Sequence, residues 1–308
     1  MRDPFAHTYS IVARDPKTGQ LGTAVQSHWF SVGSVVPWVQ AGIGAIATQA
    51  FSEISYGPLG LELLRGGKTS RQVLDSLLAS DEQRDLRQVA MVDSNGTVAT
   101  HTGTRCIPYA NHVVGDGFSV QANMMLKGGV PEAMAAAYQA ALADDTLDLT
   151  ERLLLALDAA QLAGGDIRGQ QSAALKVAEK EQTSKSWGGL VIELRVEDHP
   201  NPLAELRHLV RIHRGYEHMG AGDDALALGD SVAAMLAYQK AVDYAPEIVE
   251  IPFWNAVTLA DNGKLAEALP IFKSVFKQEP IWKELLRRLP ACGLIKDDQE
   301  MLSMIYSL

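Results

Sequence analysis

The order of the predicted secondary-structure elements constrains the fold of this 308-residue chain more than any other feature. Over the first 200 residues, the hydrophobic patterning predicts strands, a pair of helices, further strands, a second pair of helices and two final strands. This order excludes a simple alternating βαβ sheet. It fits two stacked sheets with a helix pair on each outer face, a four-layer αββα sandwich in the α+β class.

Two hairpins define the strand-rich part most clearly. The run TYSIVA, which begins at Thr8, and the run LGTAVQS are predicted to pair as two strands, and the stretch RDPKTGQ between them forms the turn. In RQVAMVDSNGTVATHTG, the pair Asn95-Gly96 suits a turn with positive φ between two alternating strands. A third strand, GIGAIATQA, consists of small residues, which indicates that other backbone approaches it closely.

The helices follow from periodicity and capping signals. They are predicted over residues 57–65, over SRQVLDSLLASD with Thr69 or Ser70 as the N-cap, and over residues 131–143 and 149–163. The segments GFSVQANM, SAALKVA and GLVIELRV read as the remaining strands of this region.

The pattern changes at EDHPNPLAE, after which the chain is predicted to be almost entirely helical. A period of 34 residues relates Gly229 to Gly263, Ala234 to Ala268, Tyr238 to Phe272 and Pro246 to Pro280. This spacing resembles the tetratricopeptide repeat. We therefore predict a tail over residues 1–7, a sandwich domain over 8–200, and a small all-α domain over 201–308 with repeats at about 215–248 and 249–282.

Composition excludes several classes of partner. The formal net charge is −10 without a long basic run, so neither nucleic acid nor an anionic membrane is an expected partner. The two cysteines, Cys106 and Cys292, do not suggest a disulfide framework, and no signal peptide or spanning segment is apparent. These features predict a cytoplasmic protein. The histidines lack metal-ligand spacing and VVGDGFSV is followed by no helix, so we expect no metal, nucleotide or other cofactor.

Several separated motifs resemble one bacterial family in the same order. They are TYSIVARDPKTGQLGTAVQSHWFSVGSVVPW, AGIGAIATQAFSEISYGP, HTGTRC, VQANMM, GGDIRGQQSAALKV and LRVEDHPNPLAELRHL. Together they cover about residues 8–210 and are similar to the domain of unknown function 1028 family. That family is grouped with the N-terminal-nucleophile hydrolases, whose fold is an αββα sandwich.

The resemblance implies that Thr8 is the nucleophile, because it heads the first strand. A threonine hydroxyl needs a base, and the α-amino group of the same residue can serve when it is free. Seven residues precede Thr8, so they must be removed by self-cleavage or by another protease. The alternative interpretation is that Thr8 is a β-favouring residue that opens a strand.

Other positions match the family pattern less closely. Gln26 stands where an acidic residue is usual, and the third strand begins QAGIGAIA without the usual lysine. Asp166, Gly169 and Ser172 correspond loosely to an Asp, Ser and Gly cluster beside the nucleophile. The alternative, which the Gly-rich turn favours, is that Asp166 and Arg168 form a structural ion pair or a helix-ending loop. Asn123 could donate to an oxyanion. An amide-rich pocket is predicted from Gln26, Ser27, Gln49, Gln121 and Asn123; alternatively, these side chains satisfy backbone groups in a tight core.

Two functions are consistent with these residues. The first is an amide-bond hydrolase of the N-terminal-nucleophile type that acts on a small amide or peptide. The second is a catalytically silent scaffold that binds a small ligand and recruits a protein partner through residues 205–308. Related folds often assemble into homo-oligomers, and the sequence leaves the oligomeric state open.

Overall fold

A computed structural model describes residues 5–6, 8–185 and 188–308 of the chain. These residues form a mixed α+β structure in two compact units, the first ending at Arg207 and the second spanning His208–Leu308. The unit boundary lies seven residues beyond the predicted position, because the helix that starts at Pro202 is continuous through it.

The first sheet, sheet I, is antiparallel and contains five strands in the described residues. Its central strand β5 pairs along one edge with β6, which pairs in turn with β7. The other edge of β5 is shared between β4 and β1. The strands are β1 (Phe5–Ala6), β4 (Pro37–Gln40), β5 (Gly44–Phe51), β6 (Arg87–Asp93) and β7 (Val98–Thr102).

The second sheet, sheet II, is antiparallel, and within the described parts of the chain it has six strands in the order β11-β10-β3-β2-β9-β8. Its two central strands, β2 and β3, form the predicted first hairpin, in which Thr8 pairs with Ser27 and Arg14 with Leu21. The strands are β2 (Thr8–Arg14), β3 (Leu21–Ser27), β8 (Asn111–Gly115), β9 (Phe118–Ala122), β10 (Ser172–Ala178) and β11 (Leu190–Val196).

Each sheet packs against helices on one face. On sheet I, α1 (Tyr56–Arg65) and α2 (Ser70–Ser80) bury Leu61 and Val73 in one cluster with Ile46 and Met91. On sheet II, the ring of Phe118 lies 4.7 Å from that of Tyr138 in α3 (Val130–Leu142). A side chain at Gly22 would collide with Leu149 and Leu153 of α4 (Leu149–Leu162), so this strand lies close against the helix.

The other faces of the two sheets pack against each other. Val12 and Val25 of sheet II share a fully buried cluster with Ala45, Ala47 and Ala90 of sheet I. Small side chains on β5 and β6 allow the sheets to approach closely, as the composition of GIGAIATQA indicates. This inter-sheet layer contains the candidate site.

Capping and turn residues behave largely as the local sequence indicates. Thr69 caps α2 with a reciprocal capping box, in which its hydroxyl accepts from Gln72 N–H and its N–H donates to the Gln72 side chain. In the β6–β7 turn only Gly96 has a positive φ, 87°, and Asn95 does not share it. The sequence analysis did not identify β1, β4 or β8.

The second unit is helical. It contains the end of α5 (Pro202–Ala227), followed by α6 (Ser231–Tyr244), α7 (Glu250–Asp261), α8 (Leu265–Gln278), α9 (Ile281–Arg288) and α10 (Gln299–Tyr306). The residues related by 34 positions have equivalent structural places. Gly229 and Gly263 follow α5 and α7 with φ of 77° and 75°. Ala234 and Ala268, and Tyr238 and Phe272, are all buried. Pro270 lies inside α8.

Across the described parts of the chain, no helix combines the length and the apolar character that crossing a bilayer would require.

Candidate functional site

Thr8 is the first residue of β2 and is fully buried between the two sheets. Its hydroxyl donates a hydrogen bond of 2.6 Å to the carbonyl oxygen of Ala6. Among the residues that the structure describes, no ionisable side chain forms a hydrogen bond with Thr8.

The carbonyl oxygen of Thr8 is held by both sheets. It accepts the backbone N–H of Asn123 at 3.1 Å and the side-chain amide of Gln49, which belongs to β5, at 3.2 Å. The Asn123 side-chain nitrogen lies 3.5 Å from the same oxygen. Thr8 and Asn123, which the sequence analysis assigned to the same site, are thus brought together.

Gln88 in β6 connects these amides. Its side-chain oxygen accepts from Gln49 Nε2 at 2.7 Å and from Asn123 Nδ2 at 2.9 Å. Its Nε2 lies 2.9 Å from the carbonyl oxygen of Ala122 and 3.0 Å from Thr102 Oγ1. Gln88 was not predicted as a site residue. Its place directly before the apolar run VAMV, within a predicted strand, was a usable signal.

Ser10 and Gln121 complete the network on sheet II. Ser10 Oγ donates to Gln49 Oε1 at 2.6 Å and accepts from Gln121 Nε2 at 2.6 Å. We call Gln49, Gln88, Gln121 and Asn123 the amide cluster; all four side chains are fully buried. The cluster is electrically neutral, and its members satisfy one another and nearby backbone groups.

Gln26 does not belong to the amide cluster, contrary to the prediction. Successive residues of a strand point to opposite faces, and Gln26 pairs with Tyr9, whose hydroxyl donates to Gln161 of α4. The Gln26 side chain therefore lies on the helix-covered face of sheet II. Both of its polar atoms are buried there without a hydrogen-bond partner in the described part of the chain.

Ser27 lies opposite Thr8 on the inter-sheet face of β3 and is fully buried. Ser172 pairs with Ser27 on the next strand, but its hydroxyl donates to the carbonyl oxygen of Trp29 and accepts from Val32 N–H. Ser172 thus holds the segment that follows β3, and its hydroxyl is not bonded to Thr8.

Asp166 lies in a loop at the same end of sheet II. Its buried carboxylate accepts from the guanidinium of Arg168 at 2.7 Å and 3.0 Å, and from His28 N–H at 3.2 Å. Asp166 and Arg168 therefore form the ion pair that the sequence analysis kept as an alternative. The carboxylate fixes the residue that follows Ser27.

Two residues with strained backbone lie next to residues that contact Thr8. In the described chain, four residues other than glycine have a positive φ: Ser31, Ala50, Tyr109 and Met124. Ala50 pairs with Ala6, Met124 follows Asn123, and Met124 N–H donates to the segment that carries Tyr109. Ser31 lies in the segment after Ser27. Such conformations cost about 1–3 kcal/mol each and persist mainly at functional sites.

The segment before Thr8 covers the site. Ala6 pairs with Ala50 and Phe5 with Phe51, so two residues of the predicted tail are a strand of sheet I. Ala6 is fully buried in the inter-sheet cluster. Residues 1–4 and His7, which complete the predicted tail, lie outside the described residues.

A titratable group lies at the far end of the network. Thr102 Oγ1, which accepts from Gln88, is 2.8 Å from Nδ1 of His112. Burial, and then the nearby His101, lower the pKa of His112. The neutral imidazole is therefore favoured in the folded protein.

Comparison with known proteins gives one clear relationship. A family model described as "Family of unknown function (DUF1028)" matches residues 8–206. The crystal structure of a DUF1028 protein from Silicibacter pomeroyi is similar at 30% identity with a TM-score of 0.58, covering 67% of this chain and 88% of that chain. Eukaryotic HslV from Trypanosoma brucei is matched at 14% identity with a TM-score of 0.35, over 56% of this chain and 99% of that chain. No curated protein matches the sequence.

Proposed function

The chain belongs to the DUF1028 family of unknown function, and from the geometry around Thr8 we propose that it is an amide-bond hydrolase of the N-terminal-nucleophile type. One observation carries the proposal. The Thr8 hydroxyl lies 2.6 Å from the carbonyl oxygen of an extended peptide segment, at the head of a strand and among strained backbone. No side-chain base bonds to it in the described residues, and the α-amino group of Thr8, once it is free, can serve as the base.

The reaction requires a chain that begins at Thr8. The hydroxyl oxygen adds to the acyl carbon of the substrate, and its proton passes to the α-amino group. The C–N bond then breaks, and the leaving amine takes that proton. Water, deprotonated by the same α-amino group, adds to the ester and releases the acid, which restores the Thr8 hydroxyl.

Asn123 is the proposed oxyanion donor. Its backbone N–H and side-chain amide both lie beside Thr8, and Gln88 fixes the orientation of the side chain. In the proposed reaction, the side-chain amide moves its hydrogen bond of 3.5 Å from the Thr8 carbonyl oxygen to the oxyanion and keeps its bond to Gln88. Asp166 and Ser172 have positioning roles in this proposal, because they hold the segment after Ser27. Gln26 has none, because its side chain lies on the other face of the sheet.

The proposal also includes the fold of the first unit and the helical repeats. We propose that the two packed sheets and their helices are the four-layer αββα sandwich of these hydrolases. We also propose that α5 to α8 form two tetratricopeptide-like repeats, since buried Ala234 and Ala268, and buried Tyr238 and Phe272, recur at the same spacing. Two free cysteines accord with a reducing, cytoplasmic location.

The first residue of the protein purified from cells tests this function. We expect N-terminal sequencing to start at Thr8, and a β-lactone acylating reagent to add its mass to the Thr8 peptide. Thr8→Ala should abolish labelling, whereas Thr8→Ser should retain it, because the serine keeps a hydroxyl next to the amine. A chain that retains the residues before Thr8 and is not labelled would contradict the hydrolase.

A second function is favoured by the complete burial of Thr8 beneath β1. In this function the sandwich is a catalytically silent scaffold, and the helical unit recruits a protein partner. Pull-down with the full chain and with residues 205–308 deleted would then differ in the partner captured, while Thr8→Ala would change neither labelling nor binding.

A further inference from the structure

Resting on the proposed function, we propose that the edge of β5 covered by β1 is the binding strip for the acyl side of the substrate. The strip takes an extended peptide, and it selects a small side chain at the second residue before the cleaved bond. We use "acyl strip" for the β5 edge at Ala50–Phe51.

The acyl strip is the part of the β5 edge beyond its pairing with β4, and the carbonyl oxygen of Phe51 also accepts from the Arg87 side chain. Along the same edge, β4 pairs with Gly44 to Ala47, and the carbonyl oxygen of Val36 accepts from Thr48 N–H. Beyond Thr48 the edge pairs with Phe5–Ala6 alone among the described residues. A peptide that adds to such an edge gains affinity from backbone hydrogen bonds, and its alternate side chains determine specificity.

The position of Thr8 sets the register. Its hydroxyl lies 2.6 Å from the Ala6 carbonyl oxygen, so the segment on the acyl strip runs directly to the nucleophile. The chain's own residues therefore show where the acyl side of any substrate has to lie. Ala6 is the second residue before Thr8 and marks the second residue before the cleaved bond.

The surroundings of Ala6 leave little space. Ala6 has no exposed surface and shares its buried cluster with Val32 and Val36 and with alanines of both sheets. Its strand partner Ala50 is held at a φ of 70°, where movement is restricted. Filling a packed layer with three further carbons forces neighbours out of their preferred rotamers. Glycine, alanine and serine fit this place, and leucine does not.

The test uses protein purified from cells and acetyl-Phe-Xaa-His-aminomethylcoumarin peptides, where Xaa is Gly, Ala, Val or Leu. We expect kcat/KM for Ala to exceed that for Leu at least 10-fold, with Val between them. Hydrolysis with equal rates, or with a preference for Leu, would overturn the acyl strip and leave the hydrolase intact. Absence of hydrolysis together with absence of β-lactone labelling at Thr8 would overturn both.

A second measurement uses the full chain and no added substrate. Ala6→Ser and Ala6→Leu are expressed side by side, and mass spectrometry measures the fraction that begins at Thr8. We expect Ala6→Ser to match the wild type and Ala6→Leu to lower this fraction at least 10-fold. Equal fractions would contradict the proposal, and thermal unfolding of both variants shows whether a loss reflects misfolding. The peptide series needs no variant and decides the matter if Ala6→Leu does not fold.

Discussion

At the scale of single residues, the candidate site depends on neutral amides. Thr8 belongs to β2 of sheet II, and Asn123 directly follows β9 of the same sheet. Gln49 and Gln88 belong to β5 and β6 of sheet I, and all four residues are fully buried. A charged side chain in this layer would lose its hydration without a partner. Amides keep their hydrogen bonds and carry no net charge, so they can orient the Thr8 backbone without adding a charge to this layer.

Gln88 should matter more than its position in the sequence suggests. Gln88→Met removes the shared acceptor of Gln49 and Asn123 and the donor to Ala122, while it keeps the side-chain length. Each orphaned buried polar group costs about 1–3 kcal/mol, so we expect the free energy of unfolding to fall by about 3 kcal/mol or more.

Gln83→Met provides the matched control, because Gln83 is exposed and its side chain makes no capping hydrogen bond. Urea unfolding of both variants measures the difference. A loss below about 0.5 kcal/mol for Gln88→Met, the range of an ordinary surface change, would mean that the network does not hold the two sheets.

His112 should make stability depend on pH. Its pKa is lowered in the folded protein by burial and by His101, so the unfolded chain binds the proton more tightly. The stabilisation from neutral His112 is present above its ordinary pKa of about 6.5 and is lost as pH falls through the folded value. Protonation would also turn His112 Nδ1 into a donor, so the Thr102 hydroxyl could no longer donate to it.

We therefore expect the free energy of unfolding to fall between pH 7.5 and pH 5 by more in the wild type than in His112→Gln. Urea titrations at pH 7.5 and at pH 5 give the fall in the free energy of unfolding for each protein. Subtracting the fall in His112→Gln from that in the wild type largely cancels the contribution of the other titrating groups. Equal falls in both proteins would exclude His112 as a contributor.

At the scale of elements, glycines show where two elements touch. In α5, a side chain at Gly222 would lie 2.9 Å from the ring of Tyr238 in α6, whereas one at Gly220 would meet no atom within 4 Å. The same helix thus carries a glycine that packing requires and one that packing does not. Tyr238 also donates to Asp223, which fixes its ring against the helix.

Gly222→Ala and Gly220→Ala therefore form a matched pair. We expect Gly220→Ala to stabilise the protein by up to about 1 kcal/mol, because alanine has the higher helix propensity. Gly222→Ala should destabilise it by about 1–2 kcal/mol, because the packing cost of about 1–3 kcal/mol exceeds that gain. Thermal unfolding compares them, and similar midpoints would contradict the close contact of α5 with Tyr238.

At the scale of the whole molecule, the net charge makes the binding of polyanions such as DNA unfavourable on average. The 37 acidic residues exceed the 27 lysines and arginines, giving a formal net charge of −10. Such a surface repels a polyanion on average, and screening shortens the range of that repulsion to about 8 Å at physiological salt.

We expect no shift of a 30-base-pair DNA duplex by the protein at about 10 μM and about 150 mM salt, where non-specific DNA-binding proteins bind with Kd of about 10⁻⁴–10⁻⁶ M. A gel mobility assay measures this, with a basic protein of similar mass as the positive control. A shift of the duplex that weakens steeply with added salt would contradict this expectation, and it would indicate a local cationic surface despite the negative net charge.

Local sequence determined many of the secondary-structure elements of this protein. The first hairpin, the Thr69 cap, the helix pairs and the 34-residue spacing each depend on residues close in sequence or on one period, so single-sequence patterns predict them. The sequence also places Thr8 at the start of a strand and Asn123 at the end of the segment GFSVQANM, and their role in a site stays a prediction.

Tertiary structure alone decided which polar side chains meet. Gln26 and Ser27 are neighbours in sequence but lie on opposite faces of β3. Knowing that both belong to a strand does not show which of them faces the other sheet and which faces the helices. Gln88, 80 residues from Thr8 in sequence and in the other sheet, accepts from Gln49 and Asn123, the two residues whose amides lie beside the Thr8 carbonyl oxygen. Phe5–Ala6 is a strand only because the edge of β5 is open to it. Long-range pairing depends on the shape of both partners, which no local pattern encodes.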